Sequence, residues 1–231
     1  MTEISAGADA SALLYPKKHV CTVCETEFSK QTVRTTKLRV LQVDTDFRSA
    51  YKGIDPNRYE VLLCPNCGFA ALPIHFDKVV NRQKMAIMEK IKPNYEHVEY
   101  DMPLSLGDAA AIYRQALLCA EAMEAKPSVK AFLSLRMAWM YREVGNKSEE
   151  TRLIKDAYEG LKEAFSTENF PLGNMDEPTA KYLIADLARR AGMMGEAMRW
   201  VADVVVAKGI SASIKERAVS LKDLIREGST D

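Results

Sequence analysis

Apolar and polar positions alternate early in the chain, in the stretch that lies between two pairs of cysteines. Residues 32–47 read TVRTTKLRVLQVDTDF, in which Thr, Val and Leu alternate with polar residues, a pattern that favours a β-strand. A turn cluster that contains Gly53 and Pro56 follows, and residues 59–63 predict a second strand. We therefore expect a β-hairpin or a small three-stranded sheet in this stretch.

Beyond residue 77, apolar residues recur at the spacing of amphipathic helices. A first helix is predicted over residues 77–92, where Pro93 stops it, and residues 93–104 are predicted to form a linker. Six further helices are expected to begin near residues 107, 127, 146, 176, 195 and 211–213. Three pairs have the spacing of helix N-terminal caps: Ser105 with Asp108, Asn146 with Glu149, and Ser213 with Glu216.

The helical part contains a weak internal repeat. When Gly145 is aligned with Gly192, Ala138 falls on Ala185, and both segments read helix, short turn, helix. This arrangement is similar to tetratricopeptide units, whose helix pairs stack into a curved array. A plain helical bundle is the alternative architecture.

Composition narrows the class of protein. The chain has 231 residues, 47% hydrophobic and 28% charged, as in a soluble globular protein with one sizeable domain or two small ones. Its 32 basic residues match its 32 acidic residues, so no net charge draws the whole molecule to nucleic acid or to a membrane. No run reaches the roughly 18–20 apolar residues of a membrane helix, and the first residues lack a secretory signal. We therefore expect a cytoplasmic protein with reduced cysteines.

Two Cys-x-x-Cys pairs carry the strongest chemical signal, Cys21 with Cys24 and Cys64 with Cys67. Thiolates three residues apart in a tight turn can face one ion, and Gly68 can adopt the positive φ that is expected just after the second pair. Two such turns complete a tetrahedral four-sulfur site with Zn–S bonds of about 2.3 Å. One structural Zn²⁺ is therefore predicted, and iron is an alternative metal for the same thiolates.

Other interpretations of the residues near these pairs stay open. The cysteines could form a thioredoxin-like dithiol, although two pairs without a βαβ pattern favour a metal site. His19 or His75 could replace a cysteine as ligand, but four cysteines already suffice. Cys119 falls on the predicted inner face of a helix, where a small buried side chain is expected rather than a reactive thiol.

Together these patterns predict an α+β fold class with three parts. A flexible N-terminal arm is expected at residues 1–16, and a zinc-ribbon-like module with a β-hairpin insert at residues 17–76. Residues 77–231 are expected to form a tetratricopeptide-like helical stack or bundle.

Two surfaces are candidates for binding a partner. The cysteine module is mildly basic, and four of its aromatic residues could stack on nucleic-acid bases or pack in its core: Phe28, Phe47, Tyr51 and Tyr59. On the helices, four residues could line a groove and clamp the carboxylates of a protein or peptide: Arg114, Arg136, Tyr182 and Arg189. A solvated helix surface is the alternative role for these four.

The cysteine module resembles a known bacterial family. The segments CTVCETEF at residues 21–28 and YEVLLCPNCGFAA at residues 59–71 resemble the domain-of-unknown-function family twenty-two twenty-five. Members of that family look like this chain, with two CxxC pairs followed by helices of tetratricopeptide type. The resemblance implies zinc at Cys21, Cys24, Cys64 and Cys67 and implies no activity.

The sequence contains no Ser-His-Asp set, phosphate loop, dinucleotide-binding glycine motif or HExxH, so no enzymatic activity and no catalytic residue are predicted. The expected function is that of a non-enzymatic adaptor with a structural zinc site and a helical surface for a protein or peptide. The alternative is a nucleic-acid-associated zinc-ribbon protein in transcription or RNA handling, and a thiol redox sensor is a third candidate.

Overall fold

The computed structural model describes residues 12–228, which form two compact units. The first unit contains the described residues up to Gln42 together with Ser49–Ala125. The second unit contains Val43–Arg48 together with the described residues from Lys126 onward. Of the predicted arm at residues 1–16, residues 1–11 lie outside the described part, and residues 14–16 belong to a strand.

Within the described residues, six short strands form three two-stranded sheets. The strands are β1 Leu14–Val20, β2 Glu27–Val33, β3 Val40–Val43, β4 Ser49–Tyr51, β5 Leu62–Leu63 and β6 Ala70–Ala71. β1 pairs antiparallel with β2, from Leu14 opposite Val33 to Val20 opposite Glu27. β3 pairs with β4, and β5 pairs antiparallel with β6. The two antiparallel hairpins each enclose one of the cysteine pairs.

The strand limits differ from those predicted. The strand expected over residues 32–47 is interrupted, because β2 ends at Val33 and a 3₁₀ turn at Thr35–Lys37 precedes β3. The strand expected over residues 59–63 is shortened, because Pro56–Tyr59 form a 3₁₀ helix capped by the side chain of Asp55. β1 was not predicted, since its conformation depends on the ladder that it forms with β2.

Three short or medium helices complete the first unit: α1 Pro73–Phe76, α2 Asn81–Ala86 and α3 Leu106–Ala122. The helix predicted over residues 77–92 begins later, at Asn81, and continues after Ala86 as a π-helical turn at Ile87–Ile91. Helix α3 packs against β6 within the first unit. Residue 77, where the predicted cysteine module ends and the predicted helical part begins, therefore lies inside this unit.

The segment predicted as a linker at residues 93–104 is tied to the first unit by hydrogen bonds. The N–H group of Leu104 donates to the hydroxyl of Tyr59 at 2.8 Å, and Arg58 donates to the Leu104 carbonyl at 3.4 Å. Nearby, the hydroxyl of Tyr113 on α3 donates to the carbonyl of Asn57 at 2.8 Å. The buried tyrosines thus connect the strand-rich segment to the helices of this unit.

Five longer helices build the second unit: α4 Pro127–Glu143, α5 Lys147–Thr167, α6 Glu177–Arg190, α7 Met194–Val206 and α8 Ala212–Glu227. Each helix packs against the next, as expected for stacked helix pairs. Strand hairpins followed by these helices confirm the predicted α+β class. None of the described helices combines the length and the apolar content that a membrane crossing requires.

Local capping signals located most helix starts. The Ser105 hydroxyl accepts from the Asp108 N–H group at 3.1 Å and the Asp108 carboxylate accepts from Ser105 N–H at 3.3 Å, which confirms this capping box. Helix α8 begins within the predicted range of residues 211–213, but the capping box predicted for Ser213 with Glu216 was wrong. Ser211 is the cap, and it accepts from the Ile214 N–H group at 3.3 Å. Ser211 is extended while the next residue is already helical, the conformation that a cap requires.

Candidate metal centre

The first cysteine pair lies in the turn between β1 and β2. The N–H group of Cys21 donates to the carbonyl of Thr26 at 2.9 Å, and that of Glu25 donates to the carbonyl of Cys21 at 2.8 Å. Glu25 has φ 61°, a left-handed conformation that residues with a Cβ rarely adopt. These bonds close a tight turn, here called the first knuckle, that contains Cys21 and Cys24.

The second pair repeats this geometry between β5 and β6. The N–H group of Cys64 donates to the carbonyl of Phe69 at 2.9 Å, and that of Gly68 donates to the carbonyl of Cys64 at 3.1 Å. Gly68 has φ 71°, which confirms the positive φ predicted for it. In this second knuckle Gly68 holds the position that Glu25 holds in the first, so both knuckles have the same turn conformation.

The four cysteine sulfur atoms lie within 4.8 Å of one another. The shortest separations join the two knuckles: Cys21 Sγ lies 3.7 Å from Cys67 Sγ, and Cys24 Sγ lies 3.5 Å from Cys64 Sγ. A tetrahedral site with metal–sulfur bonds of about 2.3 Å places its sulfur atoms about 3.8 Å apart. All four are free thiols, so the donor set fits a single ion with four sulfur ligands.

Backbone N–H groups inside each knuckle favour negative charge on the sulfur atoms. They donate to the first cysteine of each pair, from Val23 and Cys24 to Cys21 and from Asn66 and Cys67 to Cys64. Three of the four cysteines are fully buried and the fourth is half-buried. Such donors offset the charge that four thiolates bring to a metal site.

Contacts among the thiols move their pKa values apart. Hydrogen bonds with Cys21 and Cys67 lower the pKa of the Cys64 thiol. Hydrogen bonds with Cys21 and Cys64 raise the pKa of Cys67. Because like charges this close repel each other, all four groups can be thiolates together only when a cation lies between them. The arrangement is therefore suited to a metal ion.

The remaining candidate ligands lie outside this cluster. Among the described residues, the group of cysteine, histidine and acidic side chains close enough to share an ion contains the four cysteines and neither His19 nor His75. The His19 ring stacks on Phe28 at a centroid distance of 5.6 Å. Cys119 on α3 is fully buried, and burial raises its thiol pKa to about 12.

Cys119 has a contact that the sequence did not reveal. Its thiol donates to the carbonyl of Gly68 at 3.3 Å and accepts from the N–H group of Ala70 at 3.3 Å. The Gln115 side chain also donates to the Gly68 carbonyl, at 2.8 Å. Helix α3 thus supports the second knuckle directly, through side chains that lie one turn apart.

Aromatic side chains near the knuckles pack on one another. The Phe76 ring lies 4.8 Å from Phe69 and 6.1 Å from Phe28, measured between centroids. Tyr59 is buried, and its carbonyl accepts a hydrogen bond from the Lys30 ammonium. Burial lowers the pKa of Lys30 to about 7. Phe28 and Tyr59, considered above for base stacking, therefore also contribute to the core of the first unit.

The four residues predicted to bind a partner fall into different places. Arg114 is exposed on α3 in the first unit. Arg136 on α4 is half-buried and lies over the ring of Trp139, 6.0 Å from its centroid. Tyr182 and Arg189 on α6 are 1% exposed, and both contact Thr45 of the second unit. The structure brings together only the last two of the four.

The same region of the second unit contains a polar cluster that sequence reasoning missed. Asp44 and Asp46 lie between β3 and β4. Arg142 of α4 forms ion pairs with both of them, and Arg190 of α6 forms an ion pair with Asp46. No spacing rule links residues that lie so far apart in the sequence. The two aspartates lie within residues 32–47, where the alternation of apolar and polar residues predicts a strand and gives no sign of an ion-pair cluster.

These features define the class of protein: an α+β protein in which two cysteine knuckles converge on one candidate metal site. The sequence model of a family described as "Uncharacterized protein conserved in bacteria (DUF2225)" matches residues 14–227. The chain belongs to this family, as its resemblance at the knuckles suggested.

The chain is similar to one curated bacterial protein. That protein comes from Borreliella burgdorferi, is named only "Uncharacterized protein", and is 26% identical over 146 residues. The match covers 55% of this chain and 52% of the relative, so it spans about half of that protein. No solved structure matches the chain.

Proposed function

We propose that the chain binds one structural zinc ion through Cys21, Cys24, Cys64 and Cys67 and acts in the cytoplasm as a non-enzymatic interaction protein. The observation that carries the metal proposal is the convergence of four free thiols within 4.8 Å of one another. Burial and the N–H donors of both knuckles suit a closed site. Four thiolates leave no open coordination position for a substrate, which favours a structural over a catalytic ion.

The metal proposal is tested by elemental analysis of protein purified under reducing conditions without added metal. About one zinc ion per chain is expected, and a Cys64→Ser variant is expected to lose it. Cys119→Ser is the matched control, because it removes a buried thiol outside the cluster while its hydroxyl can still donate to the Gly68 carbonyl and accept from the Ala70 N–H group. Iron in place of zinc would change the identity of the ion only. Protein without metal, with two disulfides by mass spectrometry, would refute the site.

The interaction role is supported by the consecutive packing of α4 to α8, an arrangement that presents extended helical surfaces to partners. It is also supported by the ion pairs that Arg142 and Arg190 form with Asp44 and Asp46 in this unit, since such arginines suit the carboxylates of a protein. The nucleic-acid alternative is less favoured, because Phe28, Phe47 and Tyr59 already pack against other side chains.

The interaction role is tested by affinity purification of tagged protein from its own cells, with half of the lysate treated with nuclease. A defined protein that survives nuclease, and that rebinds when both components are purified, supports the adaptor role. Recovery that collapses with nuclease would overturn it in favour of the nucleic-acid alternative.

A further inference from the structure

A short acidic segment of the chain is held inside the second unit. Residues 44–47, Asp-Thr-Asp-Phe, form the turn between β3 and β4, closed by the Asp44 N–H group donating to the Arg48 carbonyl at 2.8 Å. We call these four residues the acidic segment. Asp46 is completely buried.

Helix α4 binds the two carboxylates. Arg142 donates to both oxygens of Asp46, at 3.0 Å and 2.6 Å, and to Asp44 at 2.8 Å. The indole N–H of Trp139 donates to Asp46 at 2.9 Å. Glu150 on α5 accepts from the Nε of Arg142 at 2.6 Å, which fixes the guanidinium plane. This two-pronged geometry is the one by which arginine recognises carboxylates in partners.

Helix α6 binds the residue between the carboxylates. The Tyr182 hydroxyl donates to the Thr45 carbonyl at 2.9 Å, and Arg190 donates to the Thr45 hydroxyl at 2.9 Å. That hydroxyl in turn donates to Asp186 at 2.7 Å. Main-chain and side-chain atoms of one residue are thus both recognised, so the site fixes the register of the segment.

The aromatic residue completes the docking. The Phe47 ring lies 5.3 Å from the ring of Tyr182, and the guanidinium of Arg217 on α8 lies 5.4 Å from its centroid. Phe47 has φ 67°, a left-handed conformation that is unfavourable for a residue with a Cβ. Such a conformation persists only where surrounding contacts determine it, and here those contacts come from two helices.

The helices are electrostatically complementary to the segment. Four arginines and four acids form ion pairs in this region, and two of the acids belong to the acidic segment. Without that segment, the helices contribute Arg142, Arg189 and Arg190 against Glu150 and Asp186. The helical surface therefore has an excess of positive charge and an aromatic wall, both of which an acid–aromatic sequence satisfies.

We propose that this helical surface is a recognition site for a partner protein segment of the form acid–Thr or Ser–acid–aromatic, and that the chain's own acidic segment occupies it in cis. The proposal rests on the proposed interaction role and supplies the chemistry of the partner. The cis segment acts as a competitor, since its attachment gives it an effective concentration of order millimolar. A partner binds when it offers more contacts or when the cis segment is weakened.

The test uses full-length, metal-loaded protein and a fluorescent peptide with the sequence of residues 41–50, LQVDTDFRSA. The double variant Asp44→Asn, Asp46→Asn weakens the cis segment without changing its shape. We expect this variant to bind the peptide roughly 10- to 100-fold more tightly than the wild type does. A peptide with both aspartates replaced by asparagine is expected not to bind. Tryptophan fluorescence verifies folding, because both tryptophans, Trp139 and Trp200, lie in the second unit.

A second variant keeps the test decisive if the double variant does not fold. Phe47→Gly relieves the left-handed backbone and removes the aromatic contact, so it weakens docking while retaining both carboxylates. A folded variant that binds no acidic peptide, or equal binding of the acidic and neutral peptides, overturns the proposal. Dimerisation of the variant without peptide binding assigns the surface to a second copy and also overturns it. Neither result alters metal content or partner capture, which test the proposed function separately.

Discussion

At the scale of single residues, Gly68 and Glu25 hold equivalent backbone positions with different surroundings. Both have positive φ, but a Cβ on Gly68 would overlap the ring of Tyr95. We expect Gly68→Ala to destabilise the second knuckle by about 2 kcal/mol, from the left-handed backbone and the displaced ring together. At the proposed metal site, ion binding requires the folded knuckles, so competition with a chromophoric chelator should show roughly 30-fold weaker metal binding.

The control for this prediction lies in the other knuckle. Glu25→Gly removes the cost of a left-handed residue, about 1 kcal/mol, and adds chain entropy to the unfolded state, which offsets roughly that amount. Metal affinity should therefore stay within a few-fold of the wild type. If both variants weaken the metal equally, the contact between Gly68 and Tyr95 does not determine the knuckle.

A buried carboxylate in the second unit predicts a dependence of stability on pH. Burial opposes the ionised form of Asp46, but the hydrogen bonds and charge of Arg142 and the charge of Arg190 outweigh it, so its pKa lies below the ordinary value. A group whose folded-state pKa is lowered stabilises the fold above its unfolded pKa of about 3.9, and this stabilisation is lost as pH falls below that value.

Urea unfolding followed by tryptophan fluorescence measures this effect in the second unit. The wild type should lose unfolding free energy between about pH 5 and pH 3. Asp46→Asn should be less stable at pH 7 by roughly 3 kcal/mol, because Arg142 loses its buried partner, and should show a smaller acid-induced loss. Asp223→Asn, which touches only an exposed pair with Arg226, should change stability little. An identical pH profile for the wild type and Asp46→Asn would contradict this account.

At the scale of elements, α4 and α5 are in contact at Gly160. A Cβ at this position would lie 2.9 Å from the Cβ of Ala131, which is buried on α4. Alanine normally favours a helix over glycine by about 1 kcal/mol. We expect Gly160→Ala to be destabilising by about 1 kcal/mol nevertheless, because two packed helices must separate to admit the methyl group.

Gly195 near the start of α7 is the matched position, since a Cβ there would meet nothing within 4 Å. Gly195→Ala should leave stability unchanged or raise it by up to about 1 kcal/mol, through helix propensity alone. Thermal unfolding of both variants, followed by tryptophan fluorescence, compares the two effects. A stabilised Gly160→Ala variant would show that the α4–α5 contact relaxes easily.

Helices were predictable because their signals are local. Ser105 and Asp108 bond to each other's backbone groups, and Pro127 occupies the first turn of α4, so a few neighbouring residues determine each start. Strands were predicted less well, since β1 and the two-residue β5 are defined by the partners with which they pair. At α8, Ser211 and Ser213 were both candidates for the N-terminal cap. The extended backbone of Ser211 makes it the cap, whereas the spacing of Ser213 and Glu216 favoured Ser213.

The cysteine cluster and the acidic segment with its arginines differ in how far they could be predicted from the sequence. Each cysteine knuckle is a local motif with a fixed spacing, and only the pairing of the two knuckles had to be assumed. The acidic segment and its arginines share no motif, since Asp46 and Arg142 are brought together by folding of the whole second unit. Their cluster therefore required a structure to be found.

At the scale of the whole molecule, the cysteines and the tryptophans lie in different units. The candidate metal centre belongs to the first unit, and Trp139 and Trp200 belong to the second. The second unit has buried apolar residues of its own, among them Leu161, Leu183 and Leu187. We therefore expect metal removal to unfold the knuckles while the helices of the second unit stay folded.

Hydrogen exchange with mass spectrometry resolves this expectation along the full chain. Addition of a strong chelator under reducing conditions should abolish protection in β1, β2, β5 and β6, whose turns carry the cysteines. Protection should persist in α5 and α6. The unfolding free energy of the second unit, measured by urea titration with tryptophan fluorescence, should change by no more than about 0.5 kcal/mol. Residues 44–47 are the most informative reporter, because α4 and α6 hold them and not the metal. Cys64→Ser should reproduce the chelator pattern, whereas a loss of protection in α5 and α6 would mean that the metal stabilises both units.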